Sequence, residues 1–361
     1  MVKKVNKFLI LFTKIATVAT VSALISCSFS NDAKPLPEEN DEGTVIRPDT
    51  ETEEADQDEK EDTEIADTDS DKADETADAD NEIPEEEKIK SVVIGTYNTH
   101  LFFDTKCDSG NCSGSSFEDV LSNSEYKNKV SDLADSVKEI GADIILLQEI
   151  EKESCLEDLF NKSGDYENYF FGEKGSVASV DTAVMTKGKI TSKKIHSYNI
   201  ECADCDGGKT TFSHTFTETR ISLGGREIIV FSAHFKSKND DDPARRLAEA
   251  VAAAKILKSA AEKNPEALIV MGGDLNDVPG SDTLETLESN HGFLRVASEL
   301  SSKNQATYYY SGEAIALDHI FWVKTDAGTY KKGSAEVVKD APNWYSLGSS
   351  DHAALKATFE F

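Results

Sequence analysis

The fold is most clearly indicated by residues 268–276, Leu-Ile-Val-Met-Gly-Gly-Asp-Leu-Asn. The four apolar residues Leu268–Met271 predict a short buried strand. Two glycines, Asp274, a leucine and Asn276 follow directly. Because buried sheets gather reactive side chains at the ends of their strands, this segment predicts a polar site at the edge of a sheet.

Similar apolar runs recur along the chain between residues 91 and 361. They are Val92–Tyr97, Ile144–Leu147, Ala183–Met185, Ile228–Phe231, Leu268–Met271, Ile320–Val323 and Ala354–Phe361. Helical patterns lie between some of them, at Asn128–Ile140 and Pro243–Ala261. Other runs, such as Thr210–Ser222 and Arg226–Ser232, are joined by little more than a glycine turn. This mixture of βα units and hairpins predicts an α/β fold with two mixed sheets flanked by helices.

Polar residues stand at the ends of six of these predicted strands. In chain order they are Asn98, Glu149, His234, Asp274 with Asn276, Asp318, and Asp351 with His352. Any one of them alone would be typical of a turn or a helix cap. Six strands that each deliver such a residue predict one shared site.

The set resembles the endonuclease/exonuclease/phosphatase superfamily. The residues that carry the resemblance are, in order, Asn98, Gln148-Glu149, Gly273-Asp274-Leu275-Asn276, Leu317-Asp318 and Ser350-Asp351-His352. The resemblance spans nearly all of residues 91–361. It implies a four-layered α/β sandwich and Mg²⁺-dependent hydrolysis of phosphodiesters or phosphomonoesters.

Phosphoester cleavage needs a hard cation, a base that activates water, and donors to the phosphoryl oxygens. Glu149 is the expected anchor for Mg²⁺, because a carboxylate suits that ion; Mn²⁺ or Ca²⁺ would also fit. Asp351 and Asn98 are the expected supporting ligands or orienters of the site. His352 is the expected general base or phosphate stabiliser, and the carboxylate of Asp318 would hold its imidazole.

The resemblance assigns roles to further residues. It implies that Asp274 hydrogen-bonds the attacking water, so that Asp274 remains a rival base to His352. Asn276 would donate to a non-bridging phosphate oxygen, and His234 would polarise the phosphate or assist the leaving group. Lys236 is expected to bind phosphate as a point charge, whereas Lys238 fits a solvated loop equally well.

Five cysteines remain once Cys27 is set aside. Cys107 with Cys112, and Cys202 with Cys205, predict two disulfides that close short loops, because the protein is expected to be exported. Cys155 is then the odd one and is expected to be buried. A structural zinc site made from the four paired thiolates is the alternative.

Residues 1–26 are predicted to be a lipoprotein signal peptide. Three lysines among the first seven residues precede the apolar run Ile15–Ile25, which is too short to span a bilayer. The run ends in Leu24-Ile25-Ser26-Cys27, the pattern of a bacterial lipobox, in which the thiol of Cys27 would be acylated. An ordinary secretory signal is the alternative. We expect an exported protein, lipid-anchored to a bacterial membrane, and Ser28 favours the outer membrane or cell surface.

Residues 27–90 are predicted to be a disordered acidic tether, and residues 91–361 the folded domain. The segment 31–90 holds 26 acidic and 6 basic residues, which account for −20 of the net charge of −30. Such a composition cannot bury enough apolar surface to fold. The folded domain carries −14, which argues against a basic clamp around nucleic acid.

The leading hypothesis is a monomeric, membrane-anchored nuclease whose substrate is nucleic acid. Asp104 and the carboxylates of the motifs are expected to form an acidic site that demands a metal. A sphingomyelinase-like enzyme or an inositol-phosphate phosphatase is the alternative within the same superfamily. An alternative of another class is a non-enzymatic surface lipoprotein that binds a host ligand.

Overall fold

The computed structural model describes residues 88–114, 116–289 and 291–361. The predicted signal peptide and lipidation site, and all but the last residues of the predicted tether, lie outside the described residues. Among the described residues, no helix combines the length and the apolar character needed to cross a bilayer.

The described part of the chain alternates strands and helices. The strands are β1 (Ser91–Phe102), β2 (Ile144–Ile150), β3 (Asn168–Gly172), β4 (Asp181–Thr186), β5 (Lys189–Ile195), β6 (Ile200–Glu201), β7 (Lys209–Thr210), β8 (Thr217–Leu223), β9 (Arg226–His234), β10 (Leu268–Asp274), β11 (Leu294–Arg295), β12 (Tyr308–Tyr310), β13 (Glu313–Ile315), β14 (Asp318–Val323), β15 (Thr329–Tyr330), β16 (Glu336–Val338) and β17 (Ala354–Glu360). The α-helices are α1 (Asn123–Ile140), α2 (Glu153–Ser163), α3 (Pro243–Lys263), α4 (Asp282–Glu288) and α5 (Ser302–Gln305), and short 3₁₀ turns span Asp206–Gly208 and Val296–Glu299.

Two mixed sheets form the centre of the fold, which confirms the predicted α/β class. The first sheet has the order β15-β17-β1-β2-β4-β3, with β16 also paired to β17. The second has the order β11-β14-β10-β9-β8-β5. In each sheet one central pair is parallel, β1 with β2 and β9 with β10, and the other pairs are antiparallel.

Alternation of side chains along the central strands builds four layers. On β10, Leu268 and Val270 face the first sheet. Ile269 and Met271 point the other way and pack against α3 and α4. The run Ile144–Leu147 on β2 is divided in the same manner between the second sheet and the helices α1 and α2. Because successive residues of a strand point to opposite faces, the continuous apolar runs become strands buried on both sides.

The helices begin where their capping residues stand. The helix predicted to begin at Asn128 begins at Asn123, since Ser122 and Glu125 form a capping box with reciprocal hydrogen bonds. The helix predicted from Pro243 does begin there, because the side chain of Asp242 caps it and proline suits its first turn.

Strand direction explains why the polar motifs meet. The parallel strands β1, β2, β9 and β10 end at one edge, and the antiparallel strands β14 and β17 begin at that same edge. Asp274 is thereby paired with Asp318 on one side and His234 on the other. Gly273 makes this close pairing possible, because a Cβ there would overlap the carbonyl of Ala233.

Candidate active site

The strand ends meet at one cleft of about 740 Å³. Its lining includes these residues of the predicted site: Glu149, His234, Lys236, Asp274, Asn276, Asp351 and His352. Asn98 and Asp318 lie behind them, buried and hydrogen-bonded to cleft residues. Residues from distant parts of the sequence therefore come together in one place.

Asp274 lies at the centre of the cleft. Its Oδ2 is 3.9 Å from Nε2 of His234 and 3.9 Å from Nε2 of His352. Its Oδ1 accepts a hydrogen bond from the backbone N of Asn276 at 2.8 Å. Burial, together with the negative charge of Asp318, raises the pKa of Asp274 to about 7. A carboxyl group in this state is suited to accept a proton near neutral pH.

Asn98 orients two carboxylates. Its Nδ2 donates to Glu149 Oε1 at 3.0 Å and to Asp274 Oδ2 at 3.1 Å, while its Oδ1 accepts from the backbone N of His100 at 2.9 Å. The backbone N of Leu101 donates to Glu149 Oε2 at 2.7 Å. With its oxygen used by the backbone, Asn98 acts in this geometry as a donor that orients Glu149, which is the second of the two roles expected for it.

Four residues of the cleft have a left-handed backbone. The φ angles are 55° for His100, 45° for Leu101, 64° for Glu149 and 51° for Asn276. This conformation costs a non-glycine residue roughly 1–2 kcal/mol. Such strain persists where the surrounding structure enforces it, and it concentrates at functional sites. Here it turns the side chains of Glu149 and Asn276 into the cleft.

His352 and Asp318 form a buried pair. Nδ1 of His352 lies 2.8 Å from Asp318 Oδ2, which leaves Nε2 on the side of Asp274 and Asp351. Burial alone would favour the neutral ring, but the carboxylates of Asp318, Asp274 and Asp351 raise the pKa of His352 to about 10. The ring of Tyr308 packs on the imidazole with the centroids 4.6 Å apart. His352 is therefore held in place as a donor.

Asp351 belongs to the rim of the site. Its Oδ1 lies 3.0 Å from Nδ1 of His100. Burial works against ionisation, but the hydrogen bond from His100 lowers the pKa of Asp351 below its usual value. Lys129 of α1, which no motif pointed to, donates to the carbonyls of His100 at 2.7 Å and Ser349 at 2.9 Å. It therefore ties the end of β1 to the loop that carries Asp351.

His234 is stacked on a second histidine that the motifs did not reveal. The rings of His214 and His234 are nearly parallel, with centroids 3.8 Å apart, and His214 also lines the cleft. Burial, together with the charge on His352, lowers the pKa of His234 to about 3, and burial also lowers that of His214. Both rings are therefore neutral. The sequence pattern that could have indicated His214 is the alternation of side chains along an extended segment. His214 stands midway between the buried Phe212 and Phe216, and alternate residues share a face.

Among the described residues, the loop after β9 presents to the cleft one ammonium group that has no carboxylate partner. Nζ of Lys238 lies 2.9 Å from Oδ1 of Asp277, which the buried Arg246 also contacts. Nζ of Lys236 donates only to the carbonyl of Asn239 among the contacts within the described residues. Lys236 is thus the better placed of the two lysines to meet a phosphate. Asn276 donates from Nδ2 to the carbonyl of Phe235 at 3.1 Å, which leaves its second N–H for a ligand.

Two residues near the motifs serve the fold. The prediction for Asp104 is wrong, because the chain turns after β1 and places Asp104 against Lys152, 3.0 Å away and outside the cleft lining. His319 is buried with Nε2 at 2.9 Å from the carbonyl of Asp277, and burial lowers its pKa to about 4. It supports the loop after β10.

The cysteines form two disulfides within the described residues. Cys107 is bonded to Cys112 and Cys202 to Cys205, while Cys155 is free and buried. Burial raises the pKa of the Cys155 thiol to about 12. Each sulfur of the two pairs is engaged in its own bond, so the described chain does not assemble the four-thiolate zinc site.

Two overlapping groups of side chains could hold a cation. The ligand atoms of Glu149, His234 and Asp274 lie within 4.8 Å of one another, and so do those of Asp274, Asp318 and His352. Asp318 Oδ1 and His234 Nδ1 are buried without a hydrogen-bond partner among the described residues. Carboxylates at this spacing, with unused polar atoms beside them, are suited to a hard divalent ion.

Comparison with known proteins agrees with this geometry. A family model described as "Endonuclease/Exonuclease/phosphatase family" matches residues 95–352. The endonuclease/exonuclease/phosphatase from Bacteroides vulgatus is similar at 17% identity and a TM-score of 0.53, over 76% of this chain and 100% of that one. Truncated TDP2 from Caenorhabditis elegans is similar at 18% identity and 0.52, over 75% and 98%. At such identities the structures support the fold alone. No curated protein matches in sequence.

Proposed function

The chain belongs to the endonuclease/exonuclease/phosphatase family, and from that premise we propose that it is a Mg²⁺-dependent phosphodiesterase that hydrolyses nucleic acid. One observation carries the proposal: six strand ends bring together Asn98, Glu149, His234, Asp274 with Asn276, Asp318 and His352. This constellation combines a cation site, a candidate base and donors to phosphate. Hydrolysis of a phosphodiester requires these three elements.

The residues present fit a divalent cation. Glu149 and Asp274 supply carboxylate oxygens to one group of ligand atoms, and Mg²⁺ prefers one or two carboxylates with retained waters. When bound, the cation would supply positive charge that stabilises the phosphoryl oxygens. Mn²⁺ or Ca²⁺ would meet the same ligands. Asn98 keeps Glu149 in place through its 3.0 Å hydrogen bond.

The chain's own groups supply the remaining chemistry. Asp274 takes the proton of the attacking water, because its carboxylate lines the cleft, with Oδ2 3.9 Å from Nε2 of both His234 and His352. His352 donates from Nε2 to the phosphate, since Asp318 engages its Nδ1 and fixes the ring. Asn276 and Lys236 add donors to the non-bridging oxygens. Neutral His234, whose Nε2 lies at the same 3.9 Å from Asp274 Oδ2 as that of His352, would assist the leaving group.

A substrate panel tests the proposal. The full chain would be offered plasmid DNA, RNA, sphingomyelin and inositol polyphosphates in the presence of Mg²⁺. We expect cleavage of DNA or RNA, because the cleft is open and lined on one side by a lysine-bearing loop. If only sphingomyelin or inositol polyphosphate is cleaved, that compound and not nucleic acid is the substrate. Hydrolysis of none of them would favour a non-enzymatic ligand-binding lipoprotein.

Export and anchoring are a separate part of the proposal. The lipobox ending at Cys27 and the acidic stretch 31–90 support a bacterial lipoprotein whose catalytic domain stands away from the membrane on a tether. Cells grown with radioactive palmitate should label the protein, and Cys27→Ser should abolish the label. An unlabelled wild-type protein would contradict the anchor and leave the catalytic proposal intact.

A further inference from the structure

Two exposed aromatic rings stand on the rim of the cleft. Phe117 lies in the loop between β1 and α1, and Tyr310 lies on the hairpin formed by β12 and β13. Both line the cleft, yet Phe117 is 58% exposed and Tyr310 67% exposed. Because most of each ring is exposed, its burial contributes little to the stability of the fold. Large apolar groups exposed around a polar cleft mark a surface that binds something.

Each of the two rings is joined to the site by a packed aromatic neighbour. Phe117 meets the buried ring of Phe103 edge-on, with centroids 5.6 Å apart. Tyr310 is paired with Glu313 in the hairpin, and Tyr308 of the same strand packs on His352. Since alternate residues of a strand share a face, Tyr310 lies on the side of the hairpin that faces His352. Both rings therefore line the same cleft as Asp274 and His352.

Positive charge contributes little to the affinity of this cleft for a polyanion. Of its two lysines, Lys238 is paired with Asp277, and only Lys236 has no carboxylate partner among the described residues. Residues 91–361 carry a net charge of −14. A long duplex is held mainly through many phosphate contacts, and a site with few free cations binds it poorly. Aromatic stacking, in contrast, adds affinity that needs no cation.

We propose that Phe117 and Tyr310 stack on unpaired bases of a strand whose phosphodiester lies at Asp274 and His352, so that the substrate is single-stranded nucleic acid. This inference rests on the proposed nuclease function and specifies its substrate. A paired base within a duplex offers no free face to a side chain, whereas each base of a single strand does. The arrangement therefore favours single strands over duplexes.

The test compares KM values of the full chain, in Mg²⁺, for three probes of equal length. They are a twenty-nucleotide oligothymidylate, the same oligomer without bases, and the oligothymidylate paired with oligodeoxyadenylate. Phe117→Ala and Tyr310→Ala are each expected to raise KM for the oligothymidylate by about ten-fold, with kcat little changed. KM for the abasic oligomer should not respond, and Tyr310→Phe should retain the wild-type value.

Tyr309→Ala is the matched control. Tyr309 is 56% exposed and adjacent in sequence, but it is stacked on Tyr345 and does not line the cleft. Its loss should leave every KM unchanged, whereas an effect equal to that of Tyr310→Ala would indicate a general defect of the hairpin. That result would overturn the assignment of Tyr310.

Several outcomes would overturn the inference while leaving the nuclease proposal in place. One is an equal wild-type KM for the oligothymidylate and the abasic oligomer, and another is preferred cleavage of the duplex. A third is that the two variants lose binding to sphingomyelin vesicles while their KM for the oligothymidylate is unchanged. That result would show that the rings contact a lipid surface. If the wild type cleaves neither these oligomers nor an oligouridylate of the same length, the nuclease proposal fails. Fluorescence anisotropy with the labelled oligothymidylate then decides whether the two rings bind bases.

Discussion

Replacing His352 with alanine is expected to lower kcat for nucleic-acid cleavage by about 10³- to 10⁴-fold. The imidazole is buried, its Nδ1 is held by Asp318 at 2.8 Å, and its Nε2 lies on the side of Asp274. Alanine removes the donor that meets the phosphate and leaves the buried carboxylate of Asp318 without its partner. The loss should fall on kcat rather than on KM, because the donor acts most strongly on charge that develops during the reaction.

The measurement is steady-state cleavage of a labelled oligonucleotide by the wild type and the variant. Thermal denaturation of both proteins separates lost chemistry from lost folding, since an unpaired buried carboxylate also destabilises the protein. His291→Ala is the matched control, because His291 packs beside Phe293 and does not line the cleft. If the variant is as stable as the wild type and its kcat is within ten-fold of the wild-type value, His352 has no part in the mechanism.

Asp274→Asn is expected to lower kcat to a similar extent, by about 10³-fold or more. The change keeps the size of the side chain and an oxygen that can accept from the backbone N of Asn276, but it removes the negative charge. The residue can then neither take a proton from water nor contribute a carboxylate to the group formed with Glu149. Higher concentrations of Mg²⁺ should restore little of the rate.

The same substitution should not destabilise the metal-free protein. Burial and the negative charge of Asp318 raise the pKa of Asp274 in the folded state above the ordinary value of an aspartate. A raised carboxyl pKa means that ionisation disfavours the folded state at pH 7, so a neutral side chain removes that cost. We expect Tm in EDTA to stay equal or to rise. Asp282→Asn, an exposed change at the start of α4, should alter neither Tm nor kcat. A folded Asp274→Asn variant with undiminished kcat would exclude Asp274 as the base.

The part of the site that lies on strand ends could be predicted from the sequence. An apolar run followed by a polar residue is a local pattern, and it placed Glu149, Asp274 and His352 at one edge of the sandwich. The register then follows from strand direction, since Asp274 pairs with both His234 and Asp318. The order of the motifs, together with the resemblance they carry, was enough to predict both the fold and the cleft.

The aromatic rim and the second histidine could not be predicted in this way. Tyr310 reaches the cleft because β12 folds back on β13 and bridges to His352, a contact between parts of the chain that no local pattern encodes. Phe117 arrives through an irregular loop after β1. His214 stacks on His234 only because the segment before β8 passes beside the end of β9. Their positions depend on tertiary packing rather than on periodicity.

The finer roles within the motif also depended on the structure. Asn98 was expected to be either a supporting ligand or an orienter; the backbone turn at His100 uses its oxygen, and its amide N–H orients Glu149. Asp104 was expected in the site, but the same turn directs the chain toward Lys152. Both outcomes follow from the left-handed backbone at His100 and Leu101. Because neither residue is a glycine, the sequence gives no sign of this conformation.

The most direct measurement is the rate of oligonucleotide cleavage by the full chain after EDTA treatment and again after Mg²⁺ is restored. Glu149→Gln would be measured in parallel, with Glu153→Gln, an exposed change at the start of α2, as the matched control. We predict that EDTA abolishes cleavage, that Mg²⁺ restores it in the wild type and in Glu153→Gln, and that Glu149→Gln stays at least about 100-fold slower at the same Mg²⁺ concentration. Cleavage that persists in EDTA, or a Glu149→Gln variant as fast as the wild type, would contradict a catalytic cation held at Glu149 and Asp274.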